Sequence, residues 1–207
     1  NSYEQSDMDD RPYEGKTSFD PRPAFPHLLS AQVGKNYSAI SGTPHGSTFT
    51  LEFAKSALIA EEMGNDAVTD FLAVSLSSPD YTGHQYGPSS IEVEDTYLRL
   101  DKDLAQFFAF LDAKVGKGQY LFFITADHGV ANVAGFMQDH KIPAVTIPYG
   151  KSAVENAAIK KFGLQGILES SGNYQLYLNH KLMDSAKLDT EQVREFLINE
   201  LNQDPNV

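Results

Sequence analysis

Phe71-Leu72-Ala73-Val74-Ser75-Leu76-Ser77, continued by Ser78-Pro79-Asp80-Tyr81-Thr82-Gly83-His84, is the stretch that decides the fold. Its first seven residues are largely apolar, too short for a typical helix and nearly free of alternation, the pattern of a strand covered on both faces. An aspartate and a histidine follow directly. Further along, Tyr120-Leu121-Phe122-Phe123-Ile124-Thr125 repeats the pattern, and Ala126-Asp127-His128-Gly129 follows it. Between the two runs Tyr97, Leu100, Leu104, Phe107, Phe108, Leu111 and Val115 recur at helical spacing, after a cap offered by Ser89 or Ser90 and before Gly116 and Gly118. The unit reads as strand, crossover helix, parallel strand.

A right-handed crossover puts the carboxyl ends of both strands on one edge of the sheet, where open α/β sheets bind ligands. Two Asp/His pairs distant in sequence therefore become one candidate constellation, provided that the strands are parallel and close in the sheet. Asp80 and His84 are four residues apart and share a face if the segment after Pro79 turns helically. Asp127 and His128 are adjacent, which suits a sharp loop that Gly129 lets close. Carboxylate oxygen with imidazole nitrogen suits zinc, manganese or iron, and the lack of cysteine excludes sulfur-rich structural zinc sites. An open, catalytic kind of metal site remains, against the plainer alternatives of a helix-capping loop at Asp80/His84 and an Asp–His hydrogen bond at Asp127/His128.

At 207 residues and 41% apolar the chain can form one substantial core, or a core and a smaller appended unit. Sixteen Lys and Arg against 28 Asp and Glu give a net charge of −12, which argues against duplex nucleic acid or anionic lipid as a general partner. An anionic substrate would need a local positive centre, and a divalent metal is one. No stretch approaches the roughly 18 to 20 apolar residues of a membrane helix. The opening Asn1-Ser2-Tyr3-Glu4-Gln5 is neither an initiator methionine nor a signal peptide, so the chain is expected to be a piece of something longer.

Residues 1 to 27 are polar and punctuated by Pro12, Pro21, Pro23 and Pro26, as in an extended, partly docked segment without its own core. Residues 36 to 48 carry loop chemistry, and Thr48 or Thr50 would cap a helix over about 50 to 63. After the second Asp/His loop, residues 144–148 read as a short strand and 151 to 162 as a helix. Ile167-Leu168 and Tyr174 to Asn179 read as a hairpin turning at Ser171-Gly172-Asn173, and Asp189-Thr190-Glu191-Gln192 caps a last helix to about Asn202. The organisation expected is a 1–47 extended segment, a 48–136 α/β metal-binding core and a 137–207 α+β appendage.

Other polar residues read more plainly. His27, His140 and His180 have no partner at ligand spacing and default to surface or locally bonded histidines, while His45 is a loop histidine near the substrate face. The acids Glu92, Glu94, Asp95, Asp101 and Asp103 read as a solvated helix face. Thr125 and Ser77 read as backbone-bonding hydroxyls, and Tyr81 and Tyr86 as packing residues before substrate-stacking ones.

The segments SSPDYTGH and TADHG, with EVEDTYLRLDKDL between them, resemble the alkaline phosphatase superfamily, and within it the type I phosphodiesterase/nucleotide pyrophosphatase family. The likeness is strongest from about residue 48 to 136. It implies an α/β fold with a mostly parallel sheet flanked by helices. It also implies a two-zinc phosphate-ester hydrolase, monoesterase or diesterase, in which both the attacking and the leaving oxygen are held. Asp80 and His84 match the ligands of the zinc that stabilises the leaving group, and Asp127 and His128 those of the zinc that activates a Thr or Ser nucleophile. The nucleophile, one aspartate and a further histidine ligand have no counterpart here, so the resemblance implies the central part of a larger enzyme, inactive alone. It further implies a small phosphate-ester substrate and a periplasmic or secreted location. A sulfatase, phosphonate hydrolase or phosphomutase on the same scaffold, or a metal-free module, are the other possibilities.

Overall fold

The computed structural model describes residues 3–17, 20, 24–145, 151–173 and 175–203. It divides into two compact units, residues 1–144 and 145–207.

The first unit is built on three helices, α1 (Pro44–Ala60), α2 (Ser78–Tyr86) and α3 (Ile91–Leu111), with a short α4 (Ala134–Asp139). Helix α1 starts earlier than its apolar spacing suggests. Pro44 occupies its first turn, where a missing N–H costs nothing, and Thr43 rather than Thr48 or Thr50 precedes it. The apolar stripe of α3 packs on α1, so that Leu51, Ala54 and Leu58 meet Leu100, Phe107 and Leu111. Ser90 caps α3 as expected, its hydroxyl accepting from the Val93 N–H at 3.3 Å. Beyond Leu111 the helix widens into a π turn over Asp112–Gly116, and Gly116 ends it at a φ of +112°.

Residues 71–77 and 120–125 depart from expectation. Neither forms regular secondary structure, and among the described residues neither pairs with another strand. Neither is covered on both faces: Phe71, Leu121, Phe123 and Ile124 are exposed, Leu121 by 91%. Val74, Leu76 and Tyr120 pack on the core of α1 and α3, which covers one side. An apolar run becomes a buried strand only when a neighbour also supplies hydrogen bonds and a second covering layer, and among the described residues no strand does so.

The N-terminal segment docks onto α2 and α3 through polar contacts. The backbone N–H groups of Glu4, Gln5 and Ser6 donate to the Glu94 carboxylate at 2.7–3.1 Å, and the Tyr3 hydroxyl donates to Asp95 at 2.8 Å. Asp7 N–H bonds Ser89 O and Gly15 N–H bonds Gln85 O, each at 2.7 Å. These bonds correct the solvated-face reading of α3: Glu92 and Asp95 are buried, at 5% and 6% exposed, beneath the N-terminal segment.

The second unit holds α5 (Lys151–Phe162), a hairpin of β1 (Leu168–Gly172) and β2 (Gln175–Leu178), α6 (His180–Ser185) and α7 (Thr190–Gln203). The strands are antiparallel, with Leu168 opposite Leu178 and Gly172 opposite Gln175. Asn173 takes a φ of +49° in the turn, a conformation that asparagine tolerates better than most residues. Val154, Ala158, Ile167, Leu168, Met183, Val193 and Leu197 form its core. Asp189 caps α7 by accepting from Gln192 N–H at 3.0 Å. The expected strand over 144–148 lies mostly outside the described residues.

Candidate metal centre

Pro79 in the first turn starts α2 immediately after the apolar run, and Gly87 stops it with a φ of +91°. In those nine residues the 3.6-residue period sorts the side chains. Ser78, Thr82, Gly83 and Tyr86 turn inward. Asp80 and His84 lie on the open side, 46% and 72% exposed, with His84 Nε2 3.4 Å from Asp80 Oδ1. The helical turn after Pro79 is as the spacing required.

The second loop brings His128 to the same place. Its Nε2 lies 3.7 Å from Asp80 Oδ1, and its ring centre 6.4 Å from that of His84. Asp80, His84 and His128 each offer an atom within 4.8 Å of the others. Asp127 is not in this group. Its side chain is 91% exposed and touches the cluster only through His128, at 3.7 Å.

The donors fit a zinc ion. Ligand distances of about 2.1 Å in tetrahedral coordination put neighbouring ligand atoms roughly 3.4 Å apart, close to the 3.4 and 3.7 Å found here. Asp80 and His84 can supply two ligands of one ion, and His128 stands between that ion and the Asp127 carboxylate. The His128 tautomer suits the same purpose. Its Nδ1 is 2.9 Å from the Gly129 carbonyl, which can only accept, so Nδ1 carries the proton and Nε2 keeps its lone pair towards Asp80. That hydrogen bond, with Asp127 and then Asp80 nearby, raises the His128 pKa above the ordinary histidine value.

The other histidines fall elsewhere. His45 is exposed in the first turn of α1 and outside the cluster. His140 bonds the Phe136 carbonyl through Nδ1 at 2.9 Å and stacks on the Phe136 ring. His27 departs from the surface or locally bonded reading: it is half-buried, with Nε2 2.9 Å from Glu92 Oε1 and Nδ1 3.7 Å from Asp20 Oδ2. Its ring stacks on Tyr86, which is itself a packing residue as expected. No local spacing links His27 with Glu92, but Glu92, Thr96 and Leu100 head the same helical stripe as Phe107 and Leu111, and that register marks Glu92 as inward-facing.

The pair of Asp/His loops offers a donor set that could hold a divalent metal, and comparison with known proteins shows the family to which they belong. Residues 5–205 match the model of the type I phosphodiesterase/nucleotide pyrophosphatase family, and the chain belongs to that family. It is 45% identical over 212 residues to the alkaline phosphatase PafA of Elizabethkingia meningoseptica, covering all of this chain and 38% of that protein. It is 55% identical over 142 residues to the alkaline phosphatase PhoV of Synechococcus elongatus, covering 69% of this chain and 26% of the relative. The crystal structure of wild-type PafA superimposes on 97% of this chain with a TM-score of 0.83 at 45% identity, using 38% of its own length. The core is thus alkaline-phosphatase-like, and the chain spans well under half the length of these relatives.

Proposed function

We propose that the chain is the metal-bearing central part of a zinc-dependent phosphate-ester hydrolase, its three sequence segments belonging to one catalytic domain. The observation that carries this is the Asp80–His84–His128 cluster at zinc-like spacing, in a member of a family whose similar proteins are alkaline phosphatases. Asp80 and His84 would hold one ion. Asp127 and His128 would hold a second, and the His128 ring, 3.7 Å from both carboxylates, sits where two neighbouring first shells would meet. When bound, the zinc ions supply Lewis-acid stabilisation of the attacking and leaving oxygens. The chain's own part is to orient. Helix α2 fixes the Asp80–His84 pair, and the Gly129 carbonyl fixes the His128 tautomer.

The exposed runs 71–77 and 120–125 fit the same reading, as neighbouring parallel strands of a sheet completed by other parts of the protein. The Thr or Ser nucleophile that forms a covalent phosphoenzyme would also lie outside these residues. A small phosphate ester is the substrate, and the location is periplasmic or secreted. The test is metal content and hydrolysis of an aryl phosphate by the full-length protein and its Asp80→Ala variant. The parent is expected to contain zinc, and the variant to lose it together with activity. Undiminished hydrolysis by the variant would refute the assignment.

A further inference from the structure

The metal face of α2 is open, so the helix's position is set from behind. A nine-residue helix is shorter than the roughly 12 to 15 residues that hold together in isolation, and its geometry follows from what packs on its buried side. The last inward residue is Tyr86, two positions beyond His84 and 3% exposed. The His27 ring lies against it, centroids 5.1 Å apart and planes 23° from parallel. The same imidazole bonds Glu92 in the first turn of α3 at 2.9 Å. One side chain from the N-terminal segment thus ties the last turn of α2 to the first turn of α3.

The Gly15 N–H, which donates to the Gln85 carbonyl at 2.7 Å, is a second tie from the N-terminal segment to this turn, but it does not reach α3. His27 Nδ1 and Glu92 Oε2 are buried without a hydrogen-bond partner. Both residues line an open cleft of about 150 Å³, with Phe25, Pro26, Thr82 and Tyr86 around them. Without the ring that space enlarges and Glu92 loses its hydrogen bond to His27. Helices α2 and α3 also pack directly on each other, and residues 87–90 join them, starting at Gly87 with its positive φ.

We propose that His27 is a positioning residue for the metal centre: by clamping Tyr86 to Glu92 it holds the C-terminal turn of α2 so that His84 stays registered with Asp80 and His128. This rests on the zinc-hydrolase reading above. Residues that orient metal ligands from outside the coordination sphere typically change metal affinity by about 10- to 100-fold, and the clamp acts through one further side chain, so the lower end applies.

The experiment uses the full-length protein, with zinc retention against a chelator, steady-state kinetics at saturating zinc, and thermal stability measured together. In His27→Ala, zinc affinity is expected to fall about tenfold. Added zinc should restore kcat, and KM for an aryl phosphate at saturating zinc should stay within about twofold of the parent. His27→Gln keeps a donor for Glu92 without the ring and should fall between the two. It also carries the test if the alanine variant does not fold. Lower stability with unchanged zinc affinity would make His27 a structural residue and overturn the proposal, as would parental behaviour throughout. Absence of zinc from the parent itself would remove the zinc reading and this inference with it, whereas zinc held equally by parent and variants removes this inference alone.

Discussion

Gly46 sits in the first turn of α1 against the start of the metal-bearing helix. A Cβ there would collide with the Ser78 hydroxyl and lie 2.9 Å from the Ile40 carbonyl oxygen and 3.4 Å from Ser41 Cα. Ser78 is 4% exposed, and the Ile40 oxygen belongs to backbone, so neither can simply swing away. Overpacking of this kind costs about 1–3 kcal/mol. Against it stands the helix propensity gained from Gly to Ala, up to about 1 kcal/mol and less in a first turn. The clash wins, and Gly46→Ala should destabilise by about 1–2 kcal/mol in urea denaturation. Because the displaced atom is on α2, zinc retention should weaken as well. Ser78→Ala in the same chain removes the hydroxyl half of the collision and should recover part of the loss, leaving the part due to Ile40. A Gly46→Ala protein as stable as its parent or more so would refute the close approach of α1 and α2.

Gly83 offers the opposite case in α2, since a Cβ there meets nothing within 4 Å; Gly83→Ala should raise the denaturation midpoint by up to about 1 kcal/mol equivalent. Ser90→Ala removes the cap of α3 and should cost about 1 kcal/mol in the same assay. Burial above all raises the Glu14 pKa, with Glu92 and Asp9 adding to it, so the folded state holds that proton more tightly than the unfolded chain. Stability therefore falls as pH rises from the ordinary glutamate range, about 4.3, through the raised value. Glu14→Gln keeps an acceptor for the Arg11 N–H and lacks this titration, so its stability relative to the parent should improve as pH climbs from about 4 to 7. A flat difference across that range would count against the burial of Glu14.

What periodicity could reach, it reached. The Leu100–Phe107–Leu111 stripe of α3 and its serine cap, the helical turn that aligns Asp80 with His84, and the Asp189 cap of α7 all depend on neighbours within a turn or two. Tyr97 of the expected stripe, by contrast, is exposed, and Val115 lies beyond the helix. Composition at 71–77 and 120–125 suggested strands that the described residues do not form, because pairing is supplied by residues remote in sequence. The gathering of His128 with Asp80 was expected from two parallel strands, and the structure brings the two residues together without showing that pairing. His27 was missed because its hydrogen-bond partner Glu92 lies 65 residues away, and an isolated histidine in a proline-rich segment carries no period. Glu92 was missed because a run of acids on a helix suggests solvent, although its register put it under the N-terminal segment.

The open apolar runs also bear on how these 207 residues behave on their own in solution. Two apolar stretches with exposed side chains such as Phe71, Leu121 and Phe123 are surfaces on which another copy can settle. The net charge of −12 opposes that encounter through mutual repulsion, which reaches only about a Debye length, roughly 8 Å at physiological ionic strength and 3 Å at 1 M. Colloidal behaviour is therefore tied to salt. Dilute buffer keeps such molecules apart, and concentrated salt lets these surfaces meet.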